Sequence, residues 1–201
     1  MNSLVQFLIE NKSLRTQEII DAFLKINRAD FILEKYRNMA YEDIPLPIGH
    51  DQTISQPSTV AFMLELLKPQ KGQRILDIGS GSGWTTAILA EIVGDGGKVV
   101  GTEMVPELVE FGRKNIQKYL FPQAVVLQAG EELGYKEEAP YDRILVSASA
   151  VNIPQGIIDQ LKPSGILVLP VENSVWEIKK DKDGNIKTKE YLGFVFVPLV
   201  Y

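Results

Sequence analysis

The chain has 201 residues, 45% hydrophobic and 23% charged, which suffices for one sizeable core and falls short of two. It contains no cysteine and a single histidine, His50, so disulfides, zinc–thiolate sites, cysteine nucleophiles and multi-histidine metal centres are excluded and no metal site is expected. A net charge of −5 with acids and bases interspersed argues against nucleic acid as the main partner, because a phosphate backbone calls for a basic face.

Residues 1–37 read as short helices. Leu4, Phe7 and Leu8 repeat at helical spacing, Thr16 stands as a candidate N-cap for TQEIIDAFLKI, and the pattern continues from Ala29 to Tyr36. The N-terminus lacks a basic region and a small-residue cleavage site, so it does not read as a signal peptide. No stretch approaches the roughly 18 apolar residues of a membrane span. A cytoplasmic protein with no membrane partner is expected.

The segment AYEDIPLPIGHDQTISQP (40–57) carries three prolines and a glycine. That composition predicts an extended loop rather than a helix or a central strand. Ordered loops of this length are often functional. A helix follows Pro57, with Val60, Met63, Leu64 and Leu67 on one face, and stops before Pro69.

From residue 72 strands and helices alternate. RILDIG (74–79), KVVGTE (98–103), AVVLQ (124–128), DRILVSA (142–148) and GILVLPV (165–171) read as strands apolar on both faces. WTTAILAEIV (84–93), PELVEFGRKNIQKYL (106–120) and IPQGIIDQL (153–161) read as the helices between them. Such alternation predicts a parallel sheet covered on both sides. The tail, 175–199, reads as two strands joined by an Asp-Gly-Asn turn at 183–185, an antiparallel hairpin at the sheet edge. The expected fold is therefore α/β and doubly wound. A single domain of 1–201 is expected, with residues 1–57 as N-terminal helices and loop capping an α/β core of 58–201.

The strand RILDIG runs straight into GSGSG (79–83) and then a helix. Glycine permits the tight turn and lets backbone N–H groups approach a ligand at a helix N-terminus. The spacing is G-x-G-x-G with Asp77 two residues upstream, unlike the G-x-G-x-x-G of nicotinamide cofactors. Glu103 ends the next strand, where doubly wound folds place an acid that accepts hydrogen bonds from ribose hydroxyls. A turn that merely packs the sheet is the competing reading. The acid-x-G-x-G-x-G form resembles the first motif of class I methyltransferases, in which the turn holds the amino-acid end of S-adenosyl-L-methionine.

More of the chain resembles one family. AYEDIPLPIGHDQTISQP (40–57), DIGSGSG (77–83), APYDRILVSASA (139–150), IPQGIIDQLKPSGILVLPV (153–171) and FVPL (196–199) look like protein-L-isoaspartate O-methyltransferase, in order and over nearly the whole chain. The resemblance implies a Rossmann-like methyltransferase that esterifies the free α-carboxylate of isoaspartate with S-adenosyl-L-methionine, so that damaged proteins are repaired. It implies a monomer acting on flexible peptide segments. It places Ser55 at the active-site position with Thr53 beside it, and Ile54 over the cofactor. Asp77, Gly79, Ser80, Gly81, Gly83, Glu103, Met104, Gly130 and Glu131 become the cofactor-binding residues. An ordinary carboxylate pKa is about 4, so the acceptor is already ionised and no general base is needed. What remains is orientation and removal of water. Thr53 and Ser55 as mere loop-stabilising hydroxyls is the plainer reading, and His50, Glu42 and Asp43 read as surface or capping groups.

Several positions depart from the family pattern. An adenine-contacting aspartate is missing: Gly130 and Glu131 stand at the Asp-Gly positions, leaving Glu131, Glu132 or the backbone to meet the adenine amine. Ser147 and Ser149 stand where small apolar residues are usual, His50-Asp51 replace a glycine-containing pair, and Val200-Tyr201 follow FVPL where the pattern continues with a helix. A methyltransferase with a different carboxylate acceptor and a non-catalytic adenosine- or protein-binding module both stay open.

Overall fold

The computed structural model describes residues 3–199; Val200 and Tyr201, singled out above, lie outside that range. Two helices, α1 (Ser3–Glu10) and α2 (Gln17–Lys25), open the chain. Two 3₁₀ turns follow, Arg28–Phe31 and Glu34–Met39. The expected helix from Ala29 to Tyr36 is therefore broken. The Asn27 side chain accepts the Ala29 N–H, and the backbone is extended at Ile32 and Leu33, which interrupts the ladder.

Thr16 occupies the N-cap of α2 by its backbone but does not cap with its hydroxyl. Instead that hydroxyl donates to Glu65 Oε2 at 2.8 Å, while the Arg15 and Thr16 amides donate to Glu65 Oε1 at 2.7 and 2.8 Å. Glu65, buried on helix α3 (Pro57–Leu67), thus docks the N-terminal helices. Glu65→Ala leaves two amides and a hydroxyl without an acceptor, so the expected loss is about 2–3 kcal/mol of unfolding free energy. Urea unfolding of the purified variant measures it, and an unchanged midpoint refutes the docking role.

The segment 40–57 is not all loop. Its centre forms a two-stranded antiparallel ribbon, β1 (Leu46–Gly49) and β2 (Gln52–Ile54). His50 and Asp51 make the turn with φ of 53° and 56°, the positive pair that a tight hairpin requires. Local composition suggested no pairing because Pro47 breaks the alternation, yet Pro47 sits on a ribbon with no third strand.

The main sheet has seven strands in the order β5-β4-β3-β6-β7-β8-β9. The parallel strands are β3 (Arg74–Ile78), β4 (Lys98–Glu103), β5 (Ala124–Gln128), β6 (Tyr141–Val146) and β7 (Leu161–Val171). Strands β8 (Ser174–Lys180) and β9 (Ile186–Leu192) add antiparallel at one edge, as the hairpin reading predicts. The crossover helices are α4 (Trp84–Val93) and α5 (Pro106–Gln117), with short α6 (Gln155–Asp159) before β7. The helix expected over 106–120 ends at Gln117, and Leu120 takes φ 53°. The one expected over 153–161 keeps five residues because β7 begins at Leu161.

Successive strand residues face opposite sides, so the apolar strands feed two cores. Ile75, Val99, Leu145 and Val168 pack with α1 to α5. Their neighbours Leu76, Val100, Ile144 and Leu167 pack with Tyr141 and with Ile157 and Ile158 of α6. The chain leaves β3 toward one edge through β4 and β5, then returns to the other side of β3 at β6. That reversal opens a crevice at the carboxyl ends of the strands, where ligands bind in such sheets.

Candidate active site

A cavity of about 350 Å³ occupies that crevice. Its floor is the turn after β3, where Gly79, Gly81 and Gly83 take φ of 74°, 52° and 85°. These left-handed values are strained for any other residue. A Cβ on Gly81 would also lie 3.2 Å from Ile48 Cδ1, and one on Gly83 3.1 Å from the Gly112 carbonyl.

The turn is held by its neighbours. Gly79 and Ser80 amides donate to the Thr102 carbonyl at 2.8 and 3.0 Å. Glu103, buried at the end of β4, accepts the Gly81 N–H on Oε2 and the Val105 N–H on Oε1, both at 2.9 Å. One carboxylate thereby joins the turn to the start of α5, and each oxygen keeps a lone pair free.

Asp77 is fully buried beneath the turn, and it does not line the cavity. Its Oδ2 accepts the Thr85 and Thr86 hydroxyls at 2.7 and 2.6 Å. Among the described residues its Oδ1 has no partner, nor has the buried Ser80 hydroxyl. Burial pushes the Asp77 carboxyl from 3.8 up to about 6; the Thr86 and Thr85 hydrogen bonds oppose this and the Glu103 charge adds to it. Between about pH 4 and pH 6 the folded chain thus keeps a proton that the unfolded chain releases. The stability present below pH 4 is lost as pH rises through 6, by about 3 kcal/mol. Asp77→Asn removes this dependence. The unfolding free energy of the variant minus that of the wild type, measured without ligand, is expected to rise by that amount across the window. A flat difference contradicts the assignment.

The opposite wall comes from the ribbon. Thr53, Ile54 and Ser55 all line the cavity, with Ile48 beside them. Among the described residues, neither the Thr53 nor the Ser55 hydroxyl bonds to the loop's own backbone, which the loop-stabilising reading would require. Asp43 is the capping group expected: it accepts the Ser58 amide at the start of α3 and the Gln56 side chain. His50 is exposed in the ribbon turn and does not line the cavity.

The C-terminal segment closes the third side with Val197, Pro198 and Leu199. It is pinned by the Ser149 amide donating to the Val197 carbonyl and the Leu199 amide to the Ser149 carbonyl, both at 2.8 Å. Phe194 stacks on Phe62 of α3 at 5.0 Å. Ser147 lines the cavity, whereas the Ser149 hydroxyl turns away to the Glu172 carbonyl.

Of the residues singled out from the sequence, Thr53, Ile54, Ser55, Gly79, Ser80, Gly81, Glu103, Met104 and Gly130 meet at this cavity. Asp77 and Gly83 support it from behind. Glu131 does not line the cavity; of the two acids left open, Glu132 does, and it forms an ion pair with Lys136. The 131–134 segment is irregular, so no periodicity told which of the two acids turns inward. Sequence reasoning also missed Arg28, Trp84 and Thr85. The segment around Arg28, INRADFIL, mixes polar and apolar residues and gave no sign that the cation would be buried.

The arrangement juxtaposes a glycine turn carrying acids with a pair of short hydroxyls across an apolar-walled cavity. A family model described as protein-L-isoaspartate(D-aspartate) O-methyltransferase matches residues 1–201. A protein-L-isoaspartate O-methyltransferase of Methanopyrus kandleri is 43% identical over 93% of this chain and 85% of its own length. One from Thermococcus onnurineus is 44% identical over 93% and 87%. A Plasmodium falciparum structure described under the same enzyme name, in complex with S-adenosyl-L-homocysteine, superposes with a TM-score of 0.88 at 28% identity, covering 99% and 97%.

Proposed function

Since the chain belongs to the protein-L-isoaspartate(D-aspartate) O-methyltransferase family, we propose that Ser55 and Thr53 orient an isoaspartyl carboxylate toward a cofactor seated on the turn at Gly79–Gly83. The reaction is transfer of a methyl group from S-adenosyl-L-methionine to the free α-carboxylate of L-isoaspartyl residues in damaged proteins and peptides. The observation that carries the residue roles is that the turn and the Thr53–Ser55 segment face one another across a single cavity.

The site fits such a cofactor. Ser80 Oγ, unpartnered among the described residues and on the cavity wall, suits the ammonium of a cationic amino-acid end, with the Asp77 carboxylate buried behind the turn, and the free lone pairs of Glu103 suit ribose hydroxyls. Met104, Gly130 and Glu132 flank the position left for the base. S-adenosyl-L-methionine supplies a methyl group activated by a positively charged sulfur.

The chain's own task is placement. The acceptor carboxylate needs no base at neutral pH, since its ordinary pKa is about 4. Hydroxyls can hold it by hydrogen bonds without the strong ion pair an arginine would form. Ile48, Ile54 and Val197 border the cavity and exclude water, which strips hydration from the carboxylate. Orientation of this kind is a large part of a bimolecular barrier.

The test uses labelled S-adenosyl-L-methionine with paired peptides differing only in isoaspartate or aspartate, reading base-labile methyl ester. Ester on the isoaspartyl peptide alone is expected. Ester on the aspartyl peptide instead points to another carboxylate acceptor, and no transfer points to a binding module. The proposal also takes the chain to act as one domain and as a cytoplasmic monomer; among the described residues no helix is long and apolar enough to cross a membrane.

A further inference from the structure

We infer that Arg28 is the positioning residue that clamps the base of the acceptor ribbon and registers it against the cofactor turn. The inference rests on the proposed role of residues 53–55. Arg28 is only 2% exposed, and among the described residues no carboxylate lies within ion-pair distance of it. A buried guanidinium must have its charge met by other means. Four backbone carbonyls do so, all from the segment 40–55, together with the charge of Asp43 in the same segment. Nη1 donates to Ala40 and Glu42 at 3.1 and 3.2 Å, and Nη2 to Ile44 and Ser55 at 2.8 and 3.2 Å.

The last pair is the informative one. Ile44 lies just before β1 and Ser55 just after β2, so one nitrogen joins the two stems of the ribbon. The same guanidinium lies over the Trp84 ring, 5.4 Å from its centroid. Trp84 is the first residue of α4, directly after Gly83, and it lines the cavity. Arg28 therefore touches the cofactor side through an aromatic face and the acceptor side through the Ser55 carbonyl. The two terminal nitrogens of a guanidinium offer four N–H donors to the four carbonyls; an ammonium offers three.

Glu103 and the Gly79–Gly83 turn make no hydrogen bond to Arg28; their hydrogen bonds to other elements include those to Thr102, Val105, Asn115 and Gln128. Loss of the clamp should therefore displace the acceptor while leaving the cofactor seat in place. This gives a signature that a general folding role does not share.

The experiment compares the wild type with Arg28→Met and Arg28→Lys, first showing that the wild type esterifies the isoaspartyl peptide. A wild type without that activity overturns the proposed function. Displacing a reacting group by about an ångström costs up to 100-fold, so turnover is expected to fall roughly 30-fold in Arg28→Met and roughly tenfold in Arg28→Lys, with S-adenosyl-L-homocysteine affinity within about threefold of wild type. Wild-type turnover in Arg28→Met, or cofactor affinity falling in step with turnover, overturns the inference. Should Arg28→Met fail to fold, Arg28→Lys carries the test through amide hydrogen exchange. Faster exchange over residues 44–56 with unchanged exchange over 79–83 is expected, and equal exchange in both segments overturns it.

Discussion

Glu103→Ala is expected to weaken S-adenosyl-L-homocysteine binding about 100-fold, with little effect on the peptide KM among molecules saturated with cofactor. The carboxylate accepts two backbone amides, Gly81 and Val105, one on each oxygen. Hydrogen bonds to a charged group contribute about 1.5–3 kcal/mol each, and a tenfold change in affinity is about 1.4 kcal/mol. Alanine removes both bonds, lets the turn relax and deletes the acceptor proposed for the ribose. Glutamine is no remedy, because its amide nitrogen would present hydrogens to one of the two N–H groups. Isothermal titration decides the matter. Undiminished affinity in Glu103→Ala would place the nucleoside elsewhere.

Ser55→Ala should lower turnover on the isoaspartyl peptide about 100-fold while cofactor affinity stays within about twofold, since losing the orientation of a reacting oxygen costs up to about that order. The substitution isolates the hydroxyl. The Ser55 carbonyl still accepts from Arg28, so the ribbon keeps its base and only the group facing the cavity is lost. The half-buried Ser55 is given the larger share over exposed Thr53, because a hydrogen bond out of water is the stronger one. Single-turnover measurement at saturating cofactor separates this from a binding defect. Turnover equal to wild type would demote Ser55 to a loop residue.

These two substitutions probe opposite walls of one cavity, and their expected signatures are mirror images: affinity without turnover, turnover without affinity.

The core was readable from the residues because its causes are local. Unbroken apolar runs such as ILDI can be buried only as central strands. A glycine triplet spaced G-x-G-x-G accepts positive φ where side chains would not, and an acid closing the next strand falls beside it whenever the strands pair in parallel. Those facts alone bring Gly79, Gly81 and Glu103 together.

The acceptor side was readable only as a motif. The composition of 40–57 did not say that its middle would pair as a ribbon, nor that Arg28, a dozen and more residues upstream, would donate to the carbonyls of Ala40, Glu42, Ile44 and Ser55 around its base. Thr16 looked like a helix cap until Glu65, distant in sequence, took its hydroxyl. Whether Glu131 or Glu132 turned inward also waited on the packing of an irregular segment. Spacing along a chain encodes short-range hydrogen bonding and the facing of strands, so the residues alone determined the sheet, its turn and the acid beside it. The demand of a buried charge or an unpaired amide for a partner is met by whatever the folded chain brings near, so the acceptor wall and its anchoring were settled only in three dimensions.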